Sequence, residues 1–329
     1  MTIPLIIVLL LALVAEFTNG VTDAANAIAT VVATRVLSPG RAVLMAGAME
    51  LVGVLVTGTA VATTIGTGII KPEAIGLHTV AAALLTIIIW SWAAWRFGIP
   101  TSETHEMIAG LAGAGMATAG TSVLLWDGWR KVLLGLGIST VAGFILGYVV
   151  MILIYWIFRR ANRARVKMVF GRLQILSAAF MSFSHGSNDG QKFMGVFTMA
   201  LYVGGVLPQF SVPWWVVILC GVVMGTGVAT GGWRIIKTMG FGLTRLEPVQ
   251  GFAAESSASV AILVASSLGI PLSTTHSINA TILGVGATRR LSAVRWSTTQ
   301  QIVMTWVITF PVCFALGYVL TLILRPIMT

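Results

Sequence analysis

Charge is what this chain lacks most. Of its 329 residues only 9% are Asp, Glu, Lys or Arg, against 57% hydrophobic, where a soluble domain carries roughly a quarter charged residues. That deficit excludes a soluble globular protein and leaves little room for a soluble domain beside a membrane-embedded one. Cysteine is nearly absent too. Cys220 and Cys313 stand alone in apolar runs, which excludes a disulfide framework or a cysteine metal site and reads as packing. No basic residue precedes the apolar run 3–14, and such runs recur along the chain, so the first is expected to be a retained span and not a cleaved signal peptide. Acids are scarcer than bases, 10 against 20. In a membrane protein the resulting charge of +10 is topological information and no nucleic-acid footprint.

Apolar segments cover 3–33 (interrupted at Thr18–Asn26), 42–66, 75–95, 100–121 and 130–158. A basic stretch follows at 159–172, with six Lys or Arg and no acid. The plan then repeats at 173–203, 213–230, 250–268, 271–288 and 297–324. The expected organisation is a first transmembrane repeat (1–158), a linker (159–172) and a second repeat (173–329). With ten crossings and both termini outside the cytoplasm, fifteen of the twenty bases share the linker's side. The positive-inside bias makes that side cytoplasmic, in the plasma membrane of the cell. Five crossings per half force the second half to insert upside down. The expected fold is thus all-α and polytopic, with two inverted-topology repeats, broken helices, and motif segments at the repeat interface that are either hairpins or broken spans.

Two motifs occur twice. Thr18-Asn19-Gly20-Val21-Thr22-Asp23-Ala24-Ala25-Asn26-Ala27 has its counterpart in Ser184-His185-Gly186-Ser187-Asn188-Asp189-Gly190-Gln191-Lys192-Phe193. Gly98-Ile99-Pro100-Thr101-Ser102-Glu103-Thr104-His105 has its counterpart in Gly269-Ile270-Pro271-Leu272-Ser273-Thr274-Thr275-His276. A carboxylate at the bilayer centre costs roughly 2.5–3.5 kcal/mol on insertion scales, and the chain carries one at matched positions, Asp23 and Asp189. With Thr22, Asn26, Asn188 and Gln191 they form the oxygen-rich set of a hard-cation site, suited to Na⁺ or to a proton held on a carboxylate. Gly20, Gly186 and Gly190 are expected to break their helices and turn carbonyls to the site. In the second motif, Pro is expected at the first helical position, with the hydroxyls of Thr101, Ser102, Ser273, Thr274 and Thr275 at a positive helix end that suits an oxyanion. Lys192 is the one base in these motifs. It serves the anion or pairs with Asp189, one turn away. Two carboxylates and one ammonium cannot host an anion unaided, so cations must enter with it. His105, His185 and His276 are read as hydrogen-bonding residues, since His105-Glu106 lacks the second His of a zinc helix. Glu50 and Glu255 lie in apolar spans, as interhelix bonds or proton carriers.

At these motifs the chain resembles the inorganic phosphate transporter (PiT) family. The likeness rests on Asn19–Ala27, His185–Lys192, Pro100–His105 and Pro271–His276, and on the phrases at 34–39 and 286–296. It spans nearly the whole chain. The resemblance implies phosphate uptake with Na⁺ or H⁺ through inverted repeats, as a homodimer and with no other cofactor. It implies cations near Asp23, Asn26, Asp189 and Gln191, and an anion at Thr101, Ser102, Ser273 and Thr274. Two positions depart from the family. Thr22 replaces an Asn, and Glu103 stands where Ser or Thr is common, its mate being Thr274. Glu103 is thereby a candidate for coupling or for carrying a proton. Against phosphate import stand a sulfate permease on the same scaffold, a channel, and an intramembrane metal-dependent hydrolase built on the histidines and aspartates.

Overall fold

The computed structural model describes residues 2–328; the two terminal residues, expected outside the cytoplasm, fall beyond that range. Among the described residues there are twelve α-helices: α1 (Ile3–Ala33), α2 (Pro39–Val56), α3 (Ala60–Gly68), α4 (Leu77–Phe97), α5 (Glu103–Ala119), α6 (Trp126–Ile157), α7 (Arg163–Val203), α8 (Trp214–Thr230), α9 (Trp233–Gly242), α10 (Pro248–Ser267), α11 (Thr274–Ala287) and α12 (Trp296–Met328). Seven are long and apolar enough to cross a membrane, and the pair α8–α9, bent by 69°, makes an eighth. This is a multi-pass membrane protein. Lipid supplies no hydrogen bonds, so helices that satisfy their own backbone are the expected outcome. The large apolar side chains on the outside, such as Leu133, Leu134, Val141 and Ile145 of α6, form its lipid-facing surface.

The helix breaks expected in the first motifs are not there. α1 and α7 run unbroken through residues 18–26 and 184–193. Their glycines serve close approach instead: a Cβ on Gly20 would lie 2.5 Å from the Met224 carbonyl oxygen of α8, and one on Gly186 2.3 Å from that of Glu50 on α2. The breaks fall at the next elements, between α2 and α3 and between α8 and α9. No carbonyl is therefore freed at the aspartates, and any ligands there are side chains.

The second motifs form the turns of two helical hairpins. Gly98 (φ 68°) and Gly269 (φ 65°) end α4 and α10 in the left-handed conformation. The following Ile99 and Ile270 amides reach back to Ala94 and Ala265 (3.1 and 2.9 Å). That is a helix-ending motif that needs Gly at its pivot, and the Pro that comes next prevents continuation. α5 then returns along α4, so that Thr118 meets Thr79 at 2.7 Å. At 1.5 Å per residue, α5 and α11 are only about 25 and 21 Å long, short of a hydrocarbon core of about 30 Å.

The packing has a counterpart for each main contact when the halves are exchanged. α5 packs on α12 and α11 on α6; α2 packs on α7 and α8 on α1; α3 packs on α7 and α9 on α1. The detail repeats as well. A Cβ on Gly113 would lie 2.0 Å from the Phe314 carbonyl oxygen, and one on Gly284 2.1 Å from that of Phe144. The halves therefore interlock, and each motif helix leans on the final helix of the other half. Several bases fasten loops and helix ends. Arg234 bonds the Arg96 carbonyl, Arg289 pairs with Glu247, and Arg295 bonds the Phe241 carbonyl. Elsewhere the Lys71 backbone amide donates to the Val123 carbonyl and the Tyr202 hydroxyl donates to Glu73.

Candidate functional site

The two hairpin turns meet tip to tip. Ser102 and Ser273 each cap their own helix, accepting from the amides of His105 (3.4 Å) and His276 (3.2 Å). The cap is thus Ser and not Pro, which sits two residues earlier. Ser102 Oγ also donates to Ser273 Oγ at 2.8 Å, and Thr104 Oγ1 donates to the Leu272 carbonyl at 3.1 Å. Behind them the His105 and His276 rings meet edge to face at 4.8 Å, and His276 lies on Trp306. These two histidines pack beneath the turns. Two helix N-termini therefore point into one buried region, each presenting hydroxyls and amide groups of the kind that bind oxyanions.

The aspartates face these ends. Asp23 Oδ2 accepts from Asn26 Nδ2 (2.9 Å) and from Thr275 Oγ1 (3.5 Å), and Asn26 also donates to Thr275 (2.9 Å). Asp189 Oδ2 accepts from Thr274 Oγ1 (3.1 Å), while its Oδ1 holds Lys192 Nζ at 2.7 Å. The two copies use the same i to i+3 register differently, with an amide beside Asp23 and an ammonium beside Asp189. Asp189 is internally neutralised; Asp23 is not.

His185 sits between them. Its Nδ1 lies 3.0 Å from Glu50, and its Nε2 lies 3.5 Å from Asp189 and 3.9 Å from Asp23. Asp23, His185 and Asp189 are close enough to share one ion. Glu103 Oε1 accepts from Thr22 Oγ1 at 3.0 Å, and its Oε2 has no partner. Glu16 is fully buried in α1 with both carboxylate oxygens unpartnered, within electrostatic reach of Asp189, Glu50 and Lys192. Reasoning from the sequence missed Glu16. The signal was present: it lies seven residues before Asp23, two turns along the same helix face. The region thus gathers five buried carboxylates around one ammonium and one imidazole.

Three expected residues stand apart from this cluster. Asn188 donates to Ser266 at the end of α10 (2.8 Å). Gln191 accepts from the Val61 amide at the start of α3 (2.8 Å) and donates to the Ser187 carbonyl (2.6 Å), which fastens the α2–α3 break to α7. Thr101 lies beside Glu106 of α5. Glu255, left open between two roles, bonds Thr30, Ser177 and Gln174 and so ties α10 to α1 and α7.

Comparison with known proteins bears on what this arrangement does. The model of the phosphate transporter family matches residues 19–168 and again 159–317, one match per half. A probable low-affinity inorganic phosphate transporter of Rhizobium meliloti (strain 1021) is 44% identical, over 94% of this chain and 93% of that protein. A protein of the same description in Bacillus subtilis (strain 168) is 40% identical, over 98% and 97%. Among solved structures, one described as the sodium-dependent phosphate transporter superposes with a TM-score of 0.91 at 25% identity, covering 99% of this chain and all of that one. These are transporters and not enzymes, which removes the hydrolase reading. With both halves matched, relatives aligned almost end to end, and the repeated motifs meeting in one buried site, the chain belongs to the phosphate transporter family.

Proposed function

We propose that this protein imports inorganic phosphate in symport with a cation, the two halves acting as inverted repeats that expose the shared site alternately to either side of the membrane. The observation that carries this is the meeting of Ser102 and Ser273 at 2.8 Å, which turns two helix N-termini toward the carboxylate cluster. Helix ends attract an oxyanion; five carboxylates repel one. The anion is admitted only after positive charge has entered, and that order is cotransport. In this reading phosphate takes the hydroxyls of Ser102, Ser273, Thr274 and Thr275 with help from Lys192, and the coupling ion takes Asp23, whose partner Asn26 supplies an amide and no charge. Na⁺ is the favoured ion, since the side chains beside Asp23 are hard oxygen donors and the structural relative is described as sodium-dependent. A proton is the second reading, favoured by the unpartnered oxygens of Glu16, Glu50 and Glu103. The exchange symmetry of the packing supports the inverted repeats. The placement of bases along the sequence supports a cytoplasmic linker. The working unit in this reading is a homodimer.

The test is uptake of labelled phosphate into proteoliposomes under an inward Na⁺ gradient or an inward H⁺ gradient, each alone. Concentrative uptake under one gradient names the ion. Flux that never exceeds equilibrium under either would make the protein a channel, and stronger competition by sulfate than by unlabelled phosphate would make it a sulfate permease.

A further inference from the structure

A polar cavity lined by none of the residues of the aspartate cluster lies where the basic linker meets α10 and the loop after α11. It encloses about 490 Å³ between the C-terminal end of α6, the linker, the start of α7, the first turn of α10 and the loop after α11. Arg159, Arg163, Lys167 and Arg289 line it against one carboxylate, Glu247. Arg289 is already paired with Glu247 at 2.8 Å, and Arg159 stacks over Trp156. Arg163 and Lys167 have no ionic partner among the described residues. Beneath them Gln250 is 1% exposed. Its Oε1 accepts from the Glu247 amide at 3.0 Å to close the cap of α10, and its Nε2 donor is left without a partner. A buried amide donor of this kind costs free energy unless something accepts from it. The other wall is apolar, Met151 and Ile154 of α6, continuous with the lipid-facing side of that helix at Leu153 and Ile157.

We propose that this cavity is a regulatory binding site for a phosphate-bearing anion, distinct from the transport site, whose occupant clamps the linker onto the α10–α11 hairpin. The chemistry selects phosphate. The uncommitted guanidinium fork of Arg163 matches phosphate oxygens in pairs, Lys167 adds a point charge, Gln250 lines the cavity with an unpartnered amide donor, and the lining carries four bases against one carboxylate. The occupant is either the headgroup of an anionic phospholipid, with its chains along the apolar wall, or free inorganic phosphate. α10 leads directly into Gly269–Ser273 and α11 ends just before Arg289, so the occupant holds both ends of one motif hairpin. Such a site operates whichever cation drives transport.

The test uses the full chain in nanodiscs of phosphatidylcholine and follows hydrogen exchange of residues 159–168, the segment that contributes Arg159, Arg163 and Lys167 to the cavity wall. Three additions are made separately: phosphatidylglycerol in the disc, inorganic phosphate in the buffer, and oleate in the disc as an anionic lipid without phosphate. The double variant Arg163→Gln/Lys167→Gln is run beside the parent. Protection of the linker is expected with phosphatidylglycerol, with phosphate, or with both, and its midpoint should weaken on the order of tenfold for each positive charge removed by the variant. Protection by phosphatidylglycerol alone identifies the headgroup, and protection by phosphate in the neutral disc identifies the free ion. No protection by either, equal protection by oleate, or an unchanged midpoint in the variant would overturn the proposal.

Discussion

Replacing Lys192 by methionine would leave Asp189 without its ammonium in a site where both side chains are all but inaccessible, 1% and 0% exposed. Removing one partner of a buried ion pair costs roughly 3–5 kcal/mol, because the remaining charge is stranded. Here Thr274 still donates to Asp189 at 3.1 Å and His185 still lies 3.5 Å away, so the low end, about 3 kcal/mol, is expected. At about 2 °C per kcal/mol for a long chain this is a fall of about 6 °C in midpoint. The double variant Asp189→Asn/Lys192→Met removes both charges and keeps an acceptor for Thr274. Its cost should fall to about 1 kcal/mol or less, since neutral replacement of a buried pair is often tolerated. The protein carries its own reporter. Cys220 and Cys313 are free and buried, so a thiol-reactive dye becomes fluorescent only as the bundle opens. Both variants should lose uptake, which separates the stability effect from the functional one. If the double variant melts as low as the single one, Lys192 is not neutralising Asp189, and the asymmetry between the two halves of the site is misread.

Further outcomes follow from the same geometry. Asp23→Asn should abolish cation-driven uptake while the thiol-dye midpoint stays within about 2 °C of the parent, since an amide still accepts from Asn26 and Thr275; retained uptake would remove Asp23 from the cation site. Glu103→Gln keeps a partner for Thr22 and deletes a titratable group, so the dependence of uptake on external pH should change; a superimposable profile would assign Glu103 a structural role. Gly113→Val pushes a side chain into the Phe314 backbone, 2.0 Å from where its Cβ would stand, and should lower stability by about 3 kcal/mol, measured by the same dye. Glu255→Leu leaves three donors, Thr30, Ser177 and Gln174, without their acceptor and should cost about as much, whereas Glu255→Gln should cost much less.

The duplicated motifs and the two aspartates were legible in the sequence because each is a local pattern printed twice, whereas the choice between hairpins and broken spans for the second motifs stayed open until the helices were placed. Gly98-Ile99-Pro100 and Gly269-Ile270-Pro271 specify a helix end on their own. The same local logic misassigned Gly20 and Gly186. Glycine permits both a break and a close approach, and only the positions of Met224 and Glu50 on neighbouring helices decide between them. Gln191 looked like a cation ligand because it stands two residues from Asp189. On a helix, two residues is nearly the opposite face, and its side chain turns to the start of α3 instead. Glu16 was overlooked for the converse reason. It belongs to no repeated motif, so its place on the Asp23 face of α1 was passed over, and its approach to Glu50 and Lys192 comes from tertiary packing. His185, read as a hydrogen-bonding residue, is one, but its partners come from three helices and put it at the centre.

The interlocking of α5 with α12 has a consequence in time. α5 ends at residue 119, and the groove cut by Gly110 and Gly113 is filled by Phe314 and Gly317, about two hundred residues later. At a synthesis rate of about 5–20 residues per second, that surface waits roughly 10–40 s in the bilayer for its partner. The first hairpin must therefore linger half-dressed among lipids or insertion factors during translation, and a chain cut short before α12 would have a Pro100–Ser102 turn with nothing to rest on.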